Sequence, residues 1–410
     1  MTASGTADDT GTTGATERGV PDRLLLLALA LGAFAIGTDS LVISGLLVRI
    51  ATGLHVSATT AGQLISAFAL VYAVGAPVLA TLTGAVNRKR LLLAGLTVFA
   101  LANLLGAVAP DYQVLMAARL LSALGAALYL PSAITVTIGI TPERRRGRAL
   151  AIVVGGLSAA TALGVPLGTL IGAIGNWRLT LLLVAVLAIP AVTAIAVALP
   201  QVAAPAAVTI RQRIKAGTHP SVLAALLSYL LACAGDFTIF VYITPLVMRL
   251  TKTGAVGVSV FLLISGVAAV AGSAVGGRAA DRFGGQRAYI GFVAVLLTGL
   301  SAMALLARYA PRGSWITTVV FALLLGINSI ASWALPPAQN HRIASLDIAE
   351  PSVAISLNGS FSYLGLAIGG VLGGLALASG SVASLTGAAA GLELLALVTS
   401  SALFRRGKAG

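Results

Sequence analysis

An apolar run long enough to cross a bilayer recurs twelve times along this chain, and nearly all charge sits in the short stretches between runs. A hydrocarbon core about 30 Å thick is crossed by roughly 20 helical residues at 1.5 Å each. The spans of the first half read as Leu24–Ile50, Thr60–Leu82, Leu91–Ala109, Tyr112–Ile138, Ala149–Ile174 and Leu179–Leu199. Those of the second half read as Ser221–Met248, Val258–Gly277, Ala288–Ala307, Trp315–Leu335, Ser352–Leu377 and Leu385–Phe404. Continuous apolarity predicts helices, because barrel strands would alternate with a period of two. Charged residues are 9% of the chain, against about 25% in soluble domains. A soluble enzyme, a disordered chain and a coiled coil are excluded. The expected fold is an all-α integral membrane protein with 12 transmembrane helices.

Residues 1–20, rich in Thr, Gly, Ala and Ser, are expected to form a disordered tail. The run after Arg23 is too long for the apolar segment of a signal peptide and reads as a retained first span. With that tail inside, nineteen of the 26 Lys and Arg fall on one side, in clusters such as Arg88-Lys89-Arg90, Arg144–Arg148 and Arg211–Lys215. Six fall on the other side, and Arg119 lies within a span. This asymmetry predicts both termini in the cytoplasm and a place in the cell's inner (plasma) membrane. It also turns the net charge of +14 into a topology signal, so no nucleic-acid partner is expected. The single cysteine, Cys233, rules out an intramolecular disulfide and a multi-cysteine metal site.

The chain reads as a duplication. Gln201–Pro220 is the longest polar interruption and divides the spans six and six, predicting bundles over 21–200 and 221–404, a linker over 201–220 and a short tail over 405–410. Asp39 precedes Arg90 by 51 residues, and Asp236 precedes Arg287 by 51. Gly164, Gly168 and Gly172 on the fifth span match Gly365, Gly369 and Gly373 on the eleventh, 201 residues on. Six spans per half give both halves one orientation, so two pseudo-symmetric six-helix bundles are related by an axis along the membrane normal. Such bundles can rock about a midplane site. The glycines, with Pro166, serve either that motion or static close packing.

Three acids (Asp39, Asp236 and Glu393) and one base, Arg119, fall within spans. A charge at mid-bilayer costs at least ~2.5–3.5 kcal/mol, so each needs a partner, a wet cavity or a proton. Asp39 and Arg119 lie at depths that differ by about one helical turn. Asp236 occupies the duplicate of the Asp39 position. Two carboxylates facing one cavity suit proton coupling, with Arg119 tuning Asp39. The alternatives are a structural Asp39–Arg119 pair and an Asp236 satisfied by the hydroxyls of Ser228, Tyr229 or Thr238.

These residues resemble the major facilitator superfamily, and within it the twelve-span drug:proton antiporter group. Gly277-Arg278-Ala279-Ala280-Asp281-Arg282-Phe283-Gly284-Gly285-Gln286-Arg287 is similar to the superfamily's loop motif, departing at Gln286. Gly164-Val165-Pro166-Leu167-Gly168 resembles the fifth-helix antiporter motif, and Leu115–Arg119 with Gly125 the fourth-helix motif whose arginine the family links to proton movement. Gly37–Ser40 with Gly45-Leu46-Leu47, and Gly175–Arg178, resemble the arabinose-efflux and chloramphenicol-resistance branch. Gly84 and Ala85 stand where the family places an acid and an arginine in the loop after the second span, so the resemblance leaves Asp281 and Arg282, with Arg287, to close the inner face. It also implies that the spans of Asp39 and Arg119 are neighbours. It implies a cavity lined from the first, fourth, seventh and tenth spans, with Tyr129, Tyr242, Asn328 and Trp333 as candidates and Asn358 on the eleventh. Glu393, on a span that is peripheral in that fold, stays outside the expected site.

The function expected is secondary transport: a proton-driven exporter of a small amphipathic drug or metabolite, working as a monomer with the proton gradient as energy source and no cofactor. A uniporter or importer of a sugar or nucleoside-like metabolite is the alternative. An intramembrane enzyme is weakly supported, because His55, His219 and His341 all fall in or beside loops. No Gly-x-x-x-x-Gly-Lys-Ser/Thr phosphate loop supports a primary pump.

Overall fold

The structure is a computed structural model, and it describes residues 23–202, 210–348, 351–379 and 382–409. Twelve of its helices are long and apolar enough to cross a membrane. In the first half they are Arg23–Gly53, Ala58–Leu82, Arg88–Ala107, Tyr112–Ile140, Glu143–Ile174 and Trp177–Ala198. In the second they begin with Pro220–Val241 and Ala255–Phe283 and continue with Gly285–Tyr309, Trp315–Ala344, Pro351–Ala378 and Val382–Ala409. No strand occurs among the described residues. The tail over 1–20 lies outside them.

Helix starts follow local chemistry. Ser57, Asp111 and Asn176 each accept a backbone N–H of the first turn, satisfying donors that a helix start leaves free. Four spans depart most from the expected ends, and of these the eighth runs on to Phe283, taking Arg278, Asp281 and Arg282 into a helix rather than a loop. The tenth helix runs on to Ala344, which puts Arg342 inside a helix rather than in a loop. The fifth begins at Glu143, taking the Arg144–Arg148 cluster into its first turns. The seventh stops at Val241 and resumes as Ile243–Thr251. Pro245 has no N–H to offer the Val241 carbonyl, and the chain breaks at Tyr242, whose own N–H turns back to Ile239 and Phe240. The same chemistry explains a π turn over Ala160–Gly164, just ahead of Pro166.

Within the polar interruption, Ile210–Thr218 forms a short helix. The loop after the second helix docks on the start of this segment: the Arg88 N–H donates to the Val202 carbonyl at 3.2 Å and Asn87 to Gln201 at 3.3 Å. Residues 405–409 continue the last helix instead of leaving it as a separate tail.

Each glycine triplet seats the fifth helix of its lobe on the first. A Cβ at Gly164, Gly168 or Gly172 would meet Thr38, Val42 or Leu46, which share the four-residue spacing. A Cβ at Gly365, Gly369 or Gly373 would meet the seventh helix along Leu230, Ala234, Thr238 and Tyr242. Backbones approach here because nothing stands between them, the usual device where lipid supplies no hydrophobic drive.

The lobes meet along the second and eleventh helices and along the fifth and eighth. The fifth–eighth contact is concentrated in Ala160–Ile174, away from the Arg144–Arg148 cluster. The first helix packs on the Ile243–Thr251 segment more than on Pro220–Val241. The fifth–eighth and first–seventh contacts between the lobes therefore gather toward the face opposite the basic loops.

Candidate functional site

The first helix brings Asp39 to mid-membrane, and the fourth helix brings Arg119 to meet it. Arg119 Nη1 lies 2.7 Å from Asp39 Oδ1, with the two side chains 2% and 0% exposed. It is the only ion pair among the described residues. The Phe68 ring of the second helix lies 4.4 Å from the guanidinium, a cation–π contact that backs the pair. Asn103 and Ser122 flank the carboxylate. Both partners are sealed from water, so the charges depend on each other: removing one would leave the other buried and uncompensated.

Asp236 sits in a different setting. It is half-buried where the seventh and tenth helices meet, and its Oδ2 accepts the Ser332 hydroxyl at 2.6 Å. None of the three hydroxyls expected from the sequence serves it. Ser228 receives Arg342 at 2.9 Å, and Thr238 donates to the carbonyls of Ala234 and Gly369. The cause is helix rotation: residues 228, 229 and 238 point elsewhere, and the partner comes from another helix 96 positions away.

The remaining candidates divide by place. Tyr242 lies between the lobes, donating to the Gly370 carbonyl at 3.0 Å and packing against Gly62 of the second helix. Tyr129 is packed inside the first lobe, its hydroxyl on the Leu29 carbonyl at 2.9 Å. Asn328 is buried inside the second lobe beside Gly299, donating to Leu324. Asn358 bonds to Asn340 at 2.9 Å, tying the eleventh helix to the tenth. Trp333 is half-buried next to Ser332.

In this conformation the basic-face candidates stay within their own lobe. Asp281 and Arg287 are exposed, and Arg282 lies over the Phe283 ring at 5.3 Å. The loop they flank docks through Gln286, which donates to the Ser400 carbonyl at 2.8 Å.

Three further residues stand outside the expected site, and of these only Glu393, an acid within a span, carried a signal in the sequence. Tyr363 crosses from the eleventh helix to stack on Tyr72 at 4.0 Å and approaches Ser40 and Asp39. Thr244 donates to the Ser44 carbonyl at 2.7 Å, clasping seventh helix to first toward the face opposite the basic loops. Glu393 is 0% exposed, with neither carboxylate oxygen hydrogen-bonded.

Comparison with known proteins gives one consistent picture. The sequence profile of the Major Facilitator Superfamily matches residues 29–266. Inner membrane transport protein YdhP of Escherichia coli K12 is 34% identical over 92% of this chain and 95% of its own. A chloramphenicol resistance protein of Streptomyces lividans is 34% identical over 87% of this chain and 88% of its own. Among solved structures, a bacterial homologue of the lysosomal transporter Spinster, captured inward-facing and occupied, superposes with a TM-score of 0.72. That match covers 93% of this chain and 96% of the other at 16% identity, a likeness of fold.

Proposed function

The chain belongs to the Major Facilitator Superfamily and is a multi-pass membrane transporter, not an enzyme; on that premise, we propose that it exports a small amphipathic drug or metabolite in exchange for protons. The observation that carries this reading is the sealed Asp39–Arg119 pair. Protonating Asp39 cancels the attraction and strands Arg119, a change of about 3–5 kcal/mol at a buried pair. Rearrangement of the first and fourth helices relieves that cost, so proton arrival at one carboxyl becomes a force on the lobes. Asp236 supplies a second carboxyl at the duplicated position, open on one side and held by one hydroxyl.

The basic face is the cytoplasmic one, with both termini on it. The fifth–eighth and first–seventh contacts gather at the opposite face, which suits an exporter that takes up its cargo from the cytoplasmic side. The proton gradient is the energy source and the unit is a monomer. The resistance protein of Streptomyces lividans supports an amphipathic drug as cargo class.

The test is purified protein in liposomes, with a pH gradient and a panel of labelled amphipathic compounds that includes chloramphenicol. Cargo should move against protons, and Asp39→Asn and Asp236→Asn should each abolish pH-driven flux. Counterflow indifferent to pH would favour a uniporter of a sugar or nucleoside-like solute, and unchanged proton-coupled flux in both variants would reject the assignment.

A further inference from the structure

We propose that Glu393, on the twelfth helix, is a second proton-binding carboxyl of the C-terminal lobe, loaded and unloaded through Asp236. This inference rests on the proton-coupled reading above and extends it to a helix outside the cavity.

The side chain is fully enclosed, and neither Oε1 nor Oε2 has a hydrogen-bond partner. The twelfth helix packs on the seventh, ninth and eleventh. The seventh presents Asp236, with Cys233 and Tyr229 nearby. The ninth presents Tyr289, whose hydroxyl is also buried and unpartnered. The eleventh carries no charged residue. Arg342 of the tenth helix is engaged over the Tyr289 ring at 5.0 Å and on Ser228. Arg249, Arg287 and Arg308 are exposed. Where Asp39 has Arg119, Glu393 has only another acid and neutral side chains. An ionised carboxylate with neither a counter-charge nor a donor is not tolerated in such surroundings, whereas a protonated carboxyl is.

The local sequence makes room for this group. Gly235 has no side chain, and a Cβ there would stand 2.8 Å from Glu393 Oε1. The glutamate thus lies against the seventh-helix backbone next to Asp236. Asp236 is incompletely buried while Glu393 is sealed, so Asp236 is the doorway. In unloading, one O–H bond breaks at Glu393 and one forms at the Asp236 carboxylate, whose Oδ2 keeps the Ser332 hydroxyl; no hydrogen bond joins the two acids in this conformation, so the exchange requires a side-chain rotation or a bridging water. The ligand proposed is a proton, and sodium is the competing occupant that the test addresses.

The experiment uses the full chain in liposomes, with two readouts. Infrared titration of the carboxyl C=O stretch should show a component of wild type that persists above the range of exposed carboxylates, is absent in Glu393→Gln and remains in Asp236→Asn. In parallel, Glu393→Gln should lower pH-driven accumulation by about tenfold, within the range of coupling between linked sites, while counterflow at equal pH persists. Glu393→Asp, which keeps the carboxyl, should recover part of the pH response and guards against a folding defect. An unchanged infrared component in Glu393→Gln, wild-type accumulation in that variant, or loss of the component on adding sodium at fixed pH would each overturn the proposal. If wild type itself shows no pH-driven flux, the functional reading fails, while the infrared component still reports on Glu393.

Discussion

The two acids at duplicated positions, Asp39 and Asp236, have been given opposite surroundings. Asp39 is enclosed and bound to a full positive charge at 2.7 Å. Asp236 is incompletely buried, bound to one hydroxyl at 2.6 Å, with another acid on the neighbouring helix. Nothing equivalent to Arg119 stands near residues 316–320, where the offset would place it on the tenth helix. The shared scaffold explains what stayed the same. The glycine triplets still lock the fifth helix of each half to the first by backbone proximity, which is indifferent to the charges carried nearby. Duplication kept the frame and let the chemistry diverge, so one lobe holds a locked charge and the other an accessible one.

The sharpest way to break this contrast is Arg119→Leu. It leaves Asp39 buried and unpaired and should destabilise the protein by about 3–5 kcal/mol, read as a drop in the melting temperature of the detergent-solubilised protein. Combining it with Asp39→Asn should restore most of that stability without restoring pH-driven flux. No comparable drop is expected for Asp236→Asn, whose partner is a neutral hydroxyl.

The frame itself predicts a smaller difference. A Cβ at Gly369 meets the Ala234 carbonyl oxygen at 2.5 Å, which is backbone and cannot yield. At Gly168 it meets Val42 Cγ2 at 2.7 Å and Thr180 Cγ2 at 2.9 Å, side chains that can turn. Gly369→Ala should therefore cost about 1–3 kcal/mol, and Gly168→Ala less, by thermal unfolding. Equal losses would show that the lobes are held alike in energy as well as geometry.

Smaller still, Ser332→Ala removes one hydrogen bond of about 0.5–1.5 kcal/mol. It should reduce pH-driven flux several-fold, less than Asp236→Asn does. Tyr363→Phe should have the least effect, about 1 kcal/mol or below, because the Tyr72 stacking contact survives loss of the hydroxyl.

Span number, the duplication and the mid-membrane acids were legible because each is a pattern along one strand of text: apolar length, a repeated offset, a charge in the wrong place. The Asp39–Arg119 contact followed from matching depths together with the family resemblance. Ser332, Tyr363 and the enclosure of Glu393 were not legible, because each depends on which helices become neighbours and how far each is rotated. Hydroxyls on the seventh helix itself are closer to Asp236 in sequence than Ser332 is, yet they turn to their own helix or to the eleventh. The break at Tyr242 did have a signal, Pro245, which counting apolar length passes over. The helix Ile210–Thr218 was hidden in a stretch read only for its polarity.

The interruption at Tyr242 has a mechanical meaning. It falls between Asp236 and Thr244, so the acid rides on one rod and the clasp to Ser44 on another, with a joint between them. Swinging the far rod unlatches the clasp and leaves the carboxyl anchored to Ser332. In the proton-coupled reading proposed above, a change at Asp236 must therefore cross that joint to reach the clasp at Ser44.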